Sequence, residues 1–258
     1  MPVLLQTLPS YFLFNSSKQL MKKPVAILMV LFIAASLQAQ NLQVHYDFGK
    51  TRKLVTSTVE MFKPDKWGST FFFIDMNYDA KNGKSISLAY WEIARGIKLG
   101  ESPFAAHVEY NGGIGQFNAA PFNGAYSIND AWLAGLDYNL NNADFTRGIT
   151  FQILYKYIKD KQDASFQLTT VWYMHMLNKK LTFDGFADFW REDNTFSATE
   201  GDVVSQVKTR FVFLTEPQIW YNVTDNFSLG SEIEISSNFS GNRGFMVNPT
   251  LAAKWNFK

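Results

Sequence analysis

The sequence contains no cysteine among its 258 residues. This absence excludes disulfide bonds, thiolate metal ligands and processing as a lipoprotein, which requires a cysteine. Charge is also scarce, since Asp, Glu, Lys and Arg make up 18% of the chain and the formal net charge is +1. No Lys/Arg-rich run could follow a phosphate backbone, so we expect no nucleic-acid partner. The three histidines lie far apart without zinc-ligand spacing, so the sequence predicts neither a metal nor a cofactor.

Long apolar runs are missing except for one near the N-terminus. Basic residues in Met21–Lys23 precede the apolar run Val25–Leu37, and a small residue follows at Ala39. This order is typical of a secretory signal peptide, with a buried helix or a membrane anchor as the alternative. The run is shorter than the roughly 20 apolar residues that a membrane-spanning helix needs. We therefore predict a signal peptide over residues 1–39, with translation starting at Met21, and one mature domain over residues 40–258.

Aromatic residues are abundant, at 16% of the chain, and many of them belong to alternating patterns. Apolar and polar residues alternate in 42–49, 104–111 and 227–235, and helical spacing is not sustained in the mature part. Strict alternation places apolar residues on one face of a strand and polar residues on the other. Most segments have about ten residues, the length of a tilted transmembrane strand. The twelve segments are 41–49, 54–63, 68–79, 85–98, 103–111, 128–140, 148–158, 164–177, 181–190, 205–223, 226–237 and 245–257.

The connections between these segments differ in length on the two sides of the predicted sheet. Those after even-numbered segments are short: 64–67, 99–102, 141–147, 178–180 and 224–225. The two long connections, 112–127 and 191–204, both follow odd-numbered segments. An even strand number with short turns on one side is typical of an antiparallel up-and-down barrel with both chain ends in the periplasm.

A soluble barrel also alternates, but with its apolar residues inside, so the direction of the faces needs further arguments. Twelve long strands enclose a lumen too wide for side chains to fill, because eight strands is about the limit for a packed core. Aromatic residues near segment ends, such as Tyr46, Trp132 and Trp255, suit the girdles at membrane interfaces. We therefore predict an all-β transmembrane barrel, in contact with the lipids of a Gram-negative outer membrane. A soluble periplasmic β protein is the alternative.

The alternation continues almost to the end of the chain, through Trp255 to Phe257. An aromatic residue near the end of a final amphipathic strand resembles the signal that outer-membrane insertion machinery reads. We therefore expect this machinery to be a partner during biogenesis.

With the apolar face outward, alternation assigns a polar set of side chains to the lumen. The fourth segment is ambiguous because Ala89–Ile93 has apolar residues on both faces, and Trp91 and Ile93 face lipid if Glu92 points inward. The simplest interpretation of the inward charges is a solvated channel wall, without a specific binding site, in which opposite charges pair across the lumen. The titratable members of the set are His45, Asp47, Glu60, Asp75, His107, Glu109, Asp137, His175, Asp184, Asp188, Lys208, Arg210, Glu232, Glu234 and Lys254.

Two segments add aromatic residues to this polar wall. Carboxylates that alternate with aromatic rings can stack a planar group and accept hydrogen bonds from hydroxyl or amino groups, which suits a nucleoside or a sugar. The alternative is that the aromatic side chains plug or stiffen the lumen. The candidate solute-binding residues of the lumen are Phe71, Phe73, Asp75, Glu92, Asp184, Phe186, Asp188, Trp190 and Arg210.

The same aromatic segments carry a family resemblance. The segments Trp67–Met76, Ala89–Arg95, Asn129–Trp132 and Leu181–Trp190 resemble an uncharacterised outer-membrane family related to the Tsx-like nucleoside channels. In those channels an aromatic strand that ends in Asp precedes a strand with a Glu-Ile pair, here Asp75 and Glu92. The resemblance implies a monomeric twelve-stranded barrel with a narrow, aromatic-lined pore for nucleosides.

The leading expectation is therefore an outer-membrane channel for the passive uptake of small polar solutes, with nucleosides as the leading candidates. The alternative is a plugged barrel whose outer loops 112–127 and 191–204 bind a partner or stiffen the surface. No sequence feature marks the Ser-His pair that a hydrolase would need, so we do not expect an enzyme. Alternation does not determine a pore radius, so both interpretations of the lumen stand at this point.

Overall fold

The computed structural model describes residues 40–50, 52–79, 86–119, 121–161, 164–200 and 203–257. The predicted signal peptide lies outside the described residues. The strands are β1 (Gln40–Asp47), β2 (Val55–Asp65), β3 (Gly68–Tyr78), β4 (Leu88–Lys98), β5 (Phe104–Ala119), β6 (Phe122–Asn141), β7 (Arg147–Ile158), β8 (Ser165–Met176), β9 (Leu181–Glu200), β10 (Val203–Thr215), β11 (Gln218–Asn222), β12 (Phe227–Ser237) and β13 (Phe245–Asn256).

These strands form a closed antiparallel barrel. Each strand except β10 pairs with the next along the chain, and β1 pairs with β13 to close the sheet, with Leu42 opposite Trp255. β10 and β11 are two halves of one barrel strand, because both pair with β9 on one side and with β12 on the other. The barrel therefore has twelve strands, and the predicted segment 205–223 covers both halves. The prediction of an all-β, twelve-stranded, up-and-down barrel is confirmed.

The interruption between β10 and β11 occurs at Glu216 and Pro217. Proline has no N–H to donate to the sheet, so regular pairing stops there. The neighbouring strand β9 adapts through Gly185, whose φ is +146°, and a Cβ at Gly185 would lie 2.5 Å from the Glu216 carbonyl oxygen. Backbone bonds are still made, because Glu216 N–H donates to the Phe186 carbonyl and Ile233 N–H to that of Pro217, both at 3.1 Å. Glycine at position 185 is thus a requirement of this bend.

The apolar side chains of the barrel point outward. In β1, Gln43, His45 and Asp47 are buried, whereas Val44 and Tyr46 are 44% and 42% exposed. A soluble barrel would show the reverse pattern. Other large apolar side chains exposed on the strands are Ile93, Val108, Trp132, Leu136, Ile153, Tyr155, Leu168, Tyr221, Leu229, Leu251 and Trp255.

The two predicted long loops are strands instead, so this part of the prediction is wrong. Residues 112–119 and 122–127 extend β5 and β6, and residues 191–200 and 203–204 extend β9 and β10. The first stretch contains several glycines, and aromatic rings cover two of them. A Cβ at Gly115 would meet the ring of Tyr126, which lies opposite it, and a Cβ at Gly124 would meet the ring of Phe117. Cross-strand cover of this kind stabilises glycine in an extended strand.

The short turns lie where the sequence predicts them, at 66–67, 99–103, 142–146, 177–180 and 223–226. In one of them the Thr146 hydroxyl donates to Asp144 Oδ1 at 2.9 Å, and this bond holds the pKa of the Asp144 carboxyl below its usual range. No helix long and apolar enough to cross a membrane occurs in the part of the chain that the structure describes.

Candidate functional site: the barrel lumen

One cavity of about 2260 Å³ occupies the interior of the barrel. Its lining extends from Gly100–Pro103, at the end with the short turns, to Ser240 and Gly241 in the connection between β12 and β13. Among the described residues, twelve Asp or Glu and five Lys or Arg line it. The acids outnumber the bases by more than two to one, although the net charge of the whole chain is close to zero. The lumen is therefore an acidic compartment.

The inward side chains of β1–β3 and β11–β13, with Arg52 and Glu216 beside them, form what we call the polar wall. At its centre Arg52 joins two acids that are almost fully buried: its Nε lies 2.8 Å from Asp47 Oδ2, and its Nη2 lies 2.6 Å from Glu234 Oε2. Asn248 Nδ2 donates to the other Glu234 oxygen at 2.9 Å. Buried carboxylates need such partners because their desolvation is costly.

Other acids of the polar wall have mainly neutral partners. The Thr58 hydroxyl donates to Asp75 Oδ1 at 2.5 Å, and Gln218 Nε2 donates to Glu232 Oε2 at 2.6 Å. Lys254 Nζ lies 4.0 Å from an Asp184 oxygen. The same ammonium group lies 4.0 Å from the ring centroid of Trp220, in a cation–π contact. Only part of the negative charge of this wall is therefore balanced by ion pairs.

The opposite side of the lumen, which we call the apolar wall, is built from inward-facing apolar side chains. Phe239, from the connection between β12 and β13, packs edge-on against Trp190 with ring centroids 6.0 Å apart. Lys156 Nζ lies 4.4 Å from the Trp190 ring centroid and donates to Gln167 Oε1 at 2.7 Å. The apolar wall consists of Ala131, Leu133, Leu154, Ile158, Trp190, Val212 and Leu214.

A line of buried polar residues on β4 and β5 adjoins the apolar wall. His107 lies between two acids, with Nε2 3.0 Å from Glu109 Oε2 and Nδ1 2.9 Å from Asp137 Oδ1. On β4 the Tyr90 hydroxyl donates to Glu92 Oε1 at 2.6 Å. No group of three His, Asp or Glu side chains among the described residues, the His107 cluster included, has the arrangement of a metal site.

The family described as "Domain of unknown function (DUF5020)" matches residues 39–257, which is most of the chain. The chain belongs to this family. No curated protein matches it significantly.

Several solved structures are similar to this DUF5020 member at low sequence identity. A NanC porin structure has a TM-score of 0.53 and 9% identity, over 85% of this chain and 100% of that chain. A KdgM porin has a TM-score of 0.49 and 8% identity, over 84% and 99% of the two chains. The outer membrane protein Omp33 of Acinetobacter baumannii has a TM-score of 0.42 and 14% identity, over 86% and 99%. At 9% identity the likeness to the NanC porin shows a common barrel fold.

The structure of this DUF5020 member brings most of the predicted site residues to one cavity. The two predicted aromatic segments, on β3 and β9, line the cavity from opposite sides of the barrel. β4 presents Glu92 to the lumen, so Ile93 faces outward at 50% exposure. Phe71 lies on the same face of β3 and contacts Phe73, with ring centroids 5.9 Å apart, but does not line the cavity. The residues that line it are Phe73, Asp75, Glu92, Asp184, Phe186, Asp188 and Trp190. Whether they bind a solute stays a prediction.

Arg210 and Lys208 do not lie where the sequence predicted them. Both are exposed, and neither lines the cavity. The pairing of β10 with β9 shifts its register between Thr209 and Phe211, as at a β-bulge. An extra residue in one strand breaks the alternation, so positions before and after it no longer share a face. Arg210 is therefore corrected to a position outside the lumen wall.

Several lumen residues were missed by the sequence analysis. Arg52 and Phe239 lie in connections, where alternation assigns no face. Glu216 lies at the interruption between β10 and β11. Lys156 could have been found, because Tyr155 and Tyr157 flank it on the outward face of β7.

Proposed function

We propose that the protein is an outer-membrane channel for the passive uptake of small polar solutes in a Gram-negative bacterium. The observation that carries this proposal is the large acidic cavity inside a closed barrel whose outer face is apolar. NanC, whose fold the chain shares, is described as a porin, which supports a channel function. We expect the barrel to act as a monomer after delivery by the insertion machinery.

Nucleosides are the leading candidates among these solutes. Phe186 and Trp190 alternate with Asp184 and Asp188 along β9, and all four line the cavity. Aromatic faces can stack on a planar base, and carboxylate oxygens accept hydrogen bonds from ribose hydroxyls and from base N–H groups. The relationship to the Tsx-like channels, suggested by the short aromatic segments, stays part of this proposal.

Solute flux tests the channel. Purified protein in proteoliposomes should admit uridine and adenosine faster than protein-free vesicles do. Equal rates in the two kinds of vesicle would refute it.

A double variant tests the nucleoside site. Phe186→Ala with Trp190→Ala should reduce the rate of uridine entry relative to erythritol, because the stacking surfaces are lost. Heat-modifiable migration on a gel serves as the control that the barrel still folds. An unchanged uridine-to-erythritol ratio would remove the nucleoside proposal and leave the general channel.

The packing of Phe239 on Trp190 favours a second candidate, a barrel plugged at this point. Such a protein would act through the hairpins β5–β6 and β9–β10, as a binding surface or as a stiffening element. Proteoliposomes that exclude uridine, adenosine and erythritol alike would favour this candidate.

A further inference from the structure

The bases that face the cavity are already engaged by protein groups or lie near its ends. Arg52 joins Asp47 and Glu234, and Lys161 Nζ lies 3.1 Å from Glu192 Oε1. Lys98 is the last residue of β4, and Arg243 lies in the connection before β13; both are exposed. In the middle of the lumen Lys156 remains, and its ammonium group is held between Gln167 and the Trp190 ring. A solute therefore meets few free positive charges there.

Two acids near the apolar wall form no ion pair with another described residue. Glu92 accepts a hydrogen bond from the Tyr90 hydroxyl, and Asp188 accepts one from the Thr169 hydroxyl at 2.5 Å. No ion pair within 4.0 Å involves either carboxylate in the described ranges. Glu92, Asp188 and Lys156 lie close enough to interact electrostatically with one another. Two carboxyl groups therefore share one ammonium group in this part of the lumen.

Asn111 is a second, independent sign that a donor is missing. It lies opposite Glu92 in the pairing of β5 with β4, lines the cavity and is only 4% exposed. Its Oδ1 is buried and accepts no hydrogen bond from any described residue. A buried amide oxygen without a donor costs about 1–3 kcal/mol, so such an oxygen is normally satisfied. The unsatisfied Asn111 oxygen thus belongs to the residue paired with Glu92 across the two strands, and both residues line the cavity.

A primary ammonium group has the matching chemistry. It carries three N–H donors, no acceptor and a positive charge, and it can meet two or three oxygens at once. The nearby rings of Phe186 and Trp190 suit the methylene groups next to the ammonium. We propose that Glu92, Asn111 and Asp188 bind the ammonium group of small organic cations, and that the lumen prefers such cations to neutral and anionic solutes. This inference rests on the proposed channel function.

Three solutes of four carbons and different charge test the preference. Proteoliposome swelling should be faster with putrescine, a dication, than with the neutral polyol erythritol, and slowest with succinate, a dianion. Clefts lined by one sign of charge raise the local concentration of counter-charged solutes by about 10- to 1000-fold, so we expect a putrescine-to-erythritol ratio of at least about 10. A ratio near 1, or a preference for succinate, would overturn the inference and leave the channel. Exclusion of erythritol as well as putrescine would overturn the channel and the inference together.

Variants locate the site. Glu92→Gln combined with Asp188→Asn should lower the putrescine-to-erythritol ratio about tenfold. Asn111→Leu keeps the charge, so a lower ratio in this variant indicates a specific contact instead of a general electrostatic field.

Asp160→Asn is the matched control, because it removes one carboxylate from the turn between β7 and β8, outside the cavity lining. Residue 160 has a φ of +63°, which asparagine tolerates. Folding of each variant is checked by heat-modifiable migration, and unchanged ratios in folded variants would refute the site.

Discussion

The two walls of the lumen face the same cavity but are built on opposite principles. The polar wall is held by hydrogen bonds and ion pairs centred on Arg52, whereas the apolar wall is a packed cluster around Trp190. A purely polar interior, as in a wide porin, would give a solute no apolar surface to contact. The lumen is therefore amphipathic, with hydrogen-bond acceptors on one side and aromatic rings and methyl groups on the other.

The largest expected effect concerns the bend at which β9 adapts to the interrupted strand. Gly185→Ala should lower the free energy of unfolding by at least about 2 kcal/mol, because the alanine would need an unfavourable backbone conformation and its Cβ would clash with the Glu216 carbonyl. Urea unfolding in detergent micelles measures this free energy of unfolding. Gly96→Ala is the matched control, since the nearest atoms to a Cβ there are the Ser69 side-chain oxygen at 3.2 Å and an Asp137 carboxylate oxygen at 3.5 Å. Equal stabilities of the two variants would show that the walls do not depend on this bend.

The second largest effect is expected when the central cation of the polar wall is removed. Arg52→Gln should cost about 2 kcal/mol of unfolding free energy, because Asp47 and Glu234 stay buried without a counter-charge. We reduce the usual 3–5 kcal/mol because the Arg52 side chain is 30% exposed. Adding Asp47→Asn and Glu234→Gln should recover most of the loss. If neutralising the acids brings no recovery, the polar wall is not held by charge pairing.

The smallest effect on stability, but a direct effect on passage, is expected on the apolar wall. Phe239→Ala removes the ring that packs against Trp190, so single-channel conductance in a planar bilayer should rise about twofold, an order-of-magnitude expectation for a wider constriction. Phe245→Ala is the control, since this ring is 70% exposed and does not line the cavity. Identical conductance of the two variants would mean that Phe239 does not restrict the lumen.

Alternation predicted the strands, the barrel and the direction of most side chains because the two faces of each strand in this barrel contact different environments. Lipid on one side and water on the other impose a period of two, as Val44 and His45 illustrate. The same rule fails for the apolar wall. In Ala131–Ala134 both faces of β6 carry apolar residues, so the pattern does not distinguish a lipid-facing Trp132 from a lumen-facing Leu133.

The candidate site was only partly predictable for two further physical reasons. A bulge has no signature in hydropathy, so Arg210 was assigned to the wrong face. Residues in connections, such as Arg52 and Phe239, reach the lumen through the path of the chain, which depends on the closed barrel as a whole. Asn111 Oδ1 is unsatisfied because of the residues that surround it in the folded barrel, and the sequence does not show which residues those are.

The extended hairpins have a consequence outside the pore. β6 and β9 each contain 20 residues. At about 3.3 Å per residue and a tilt of about 45°, each reaches about 45 Å along the membrane normal. That is about 20 Å more than an apolar band of about 25 Å. The β5–β6 and β9–β10 hairpins therefore extend beyond such a band on the side opposite the short turns.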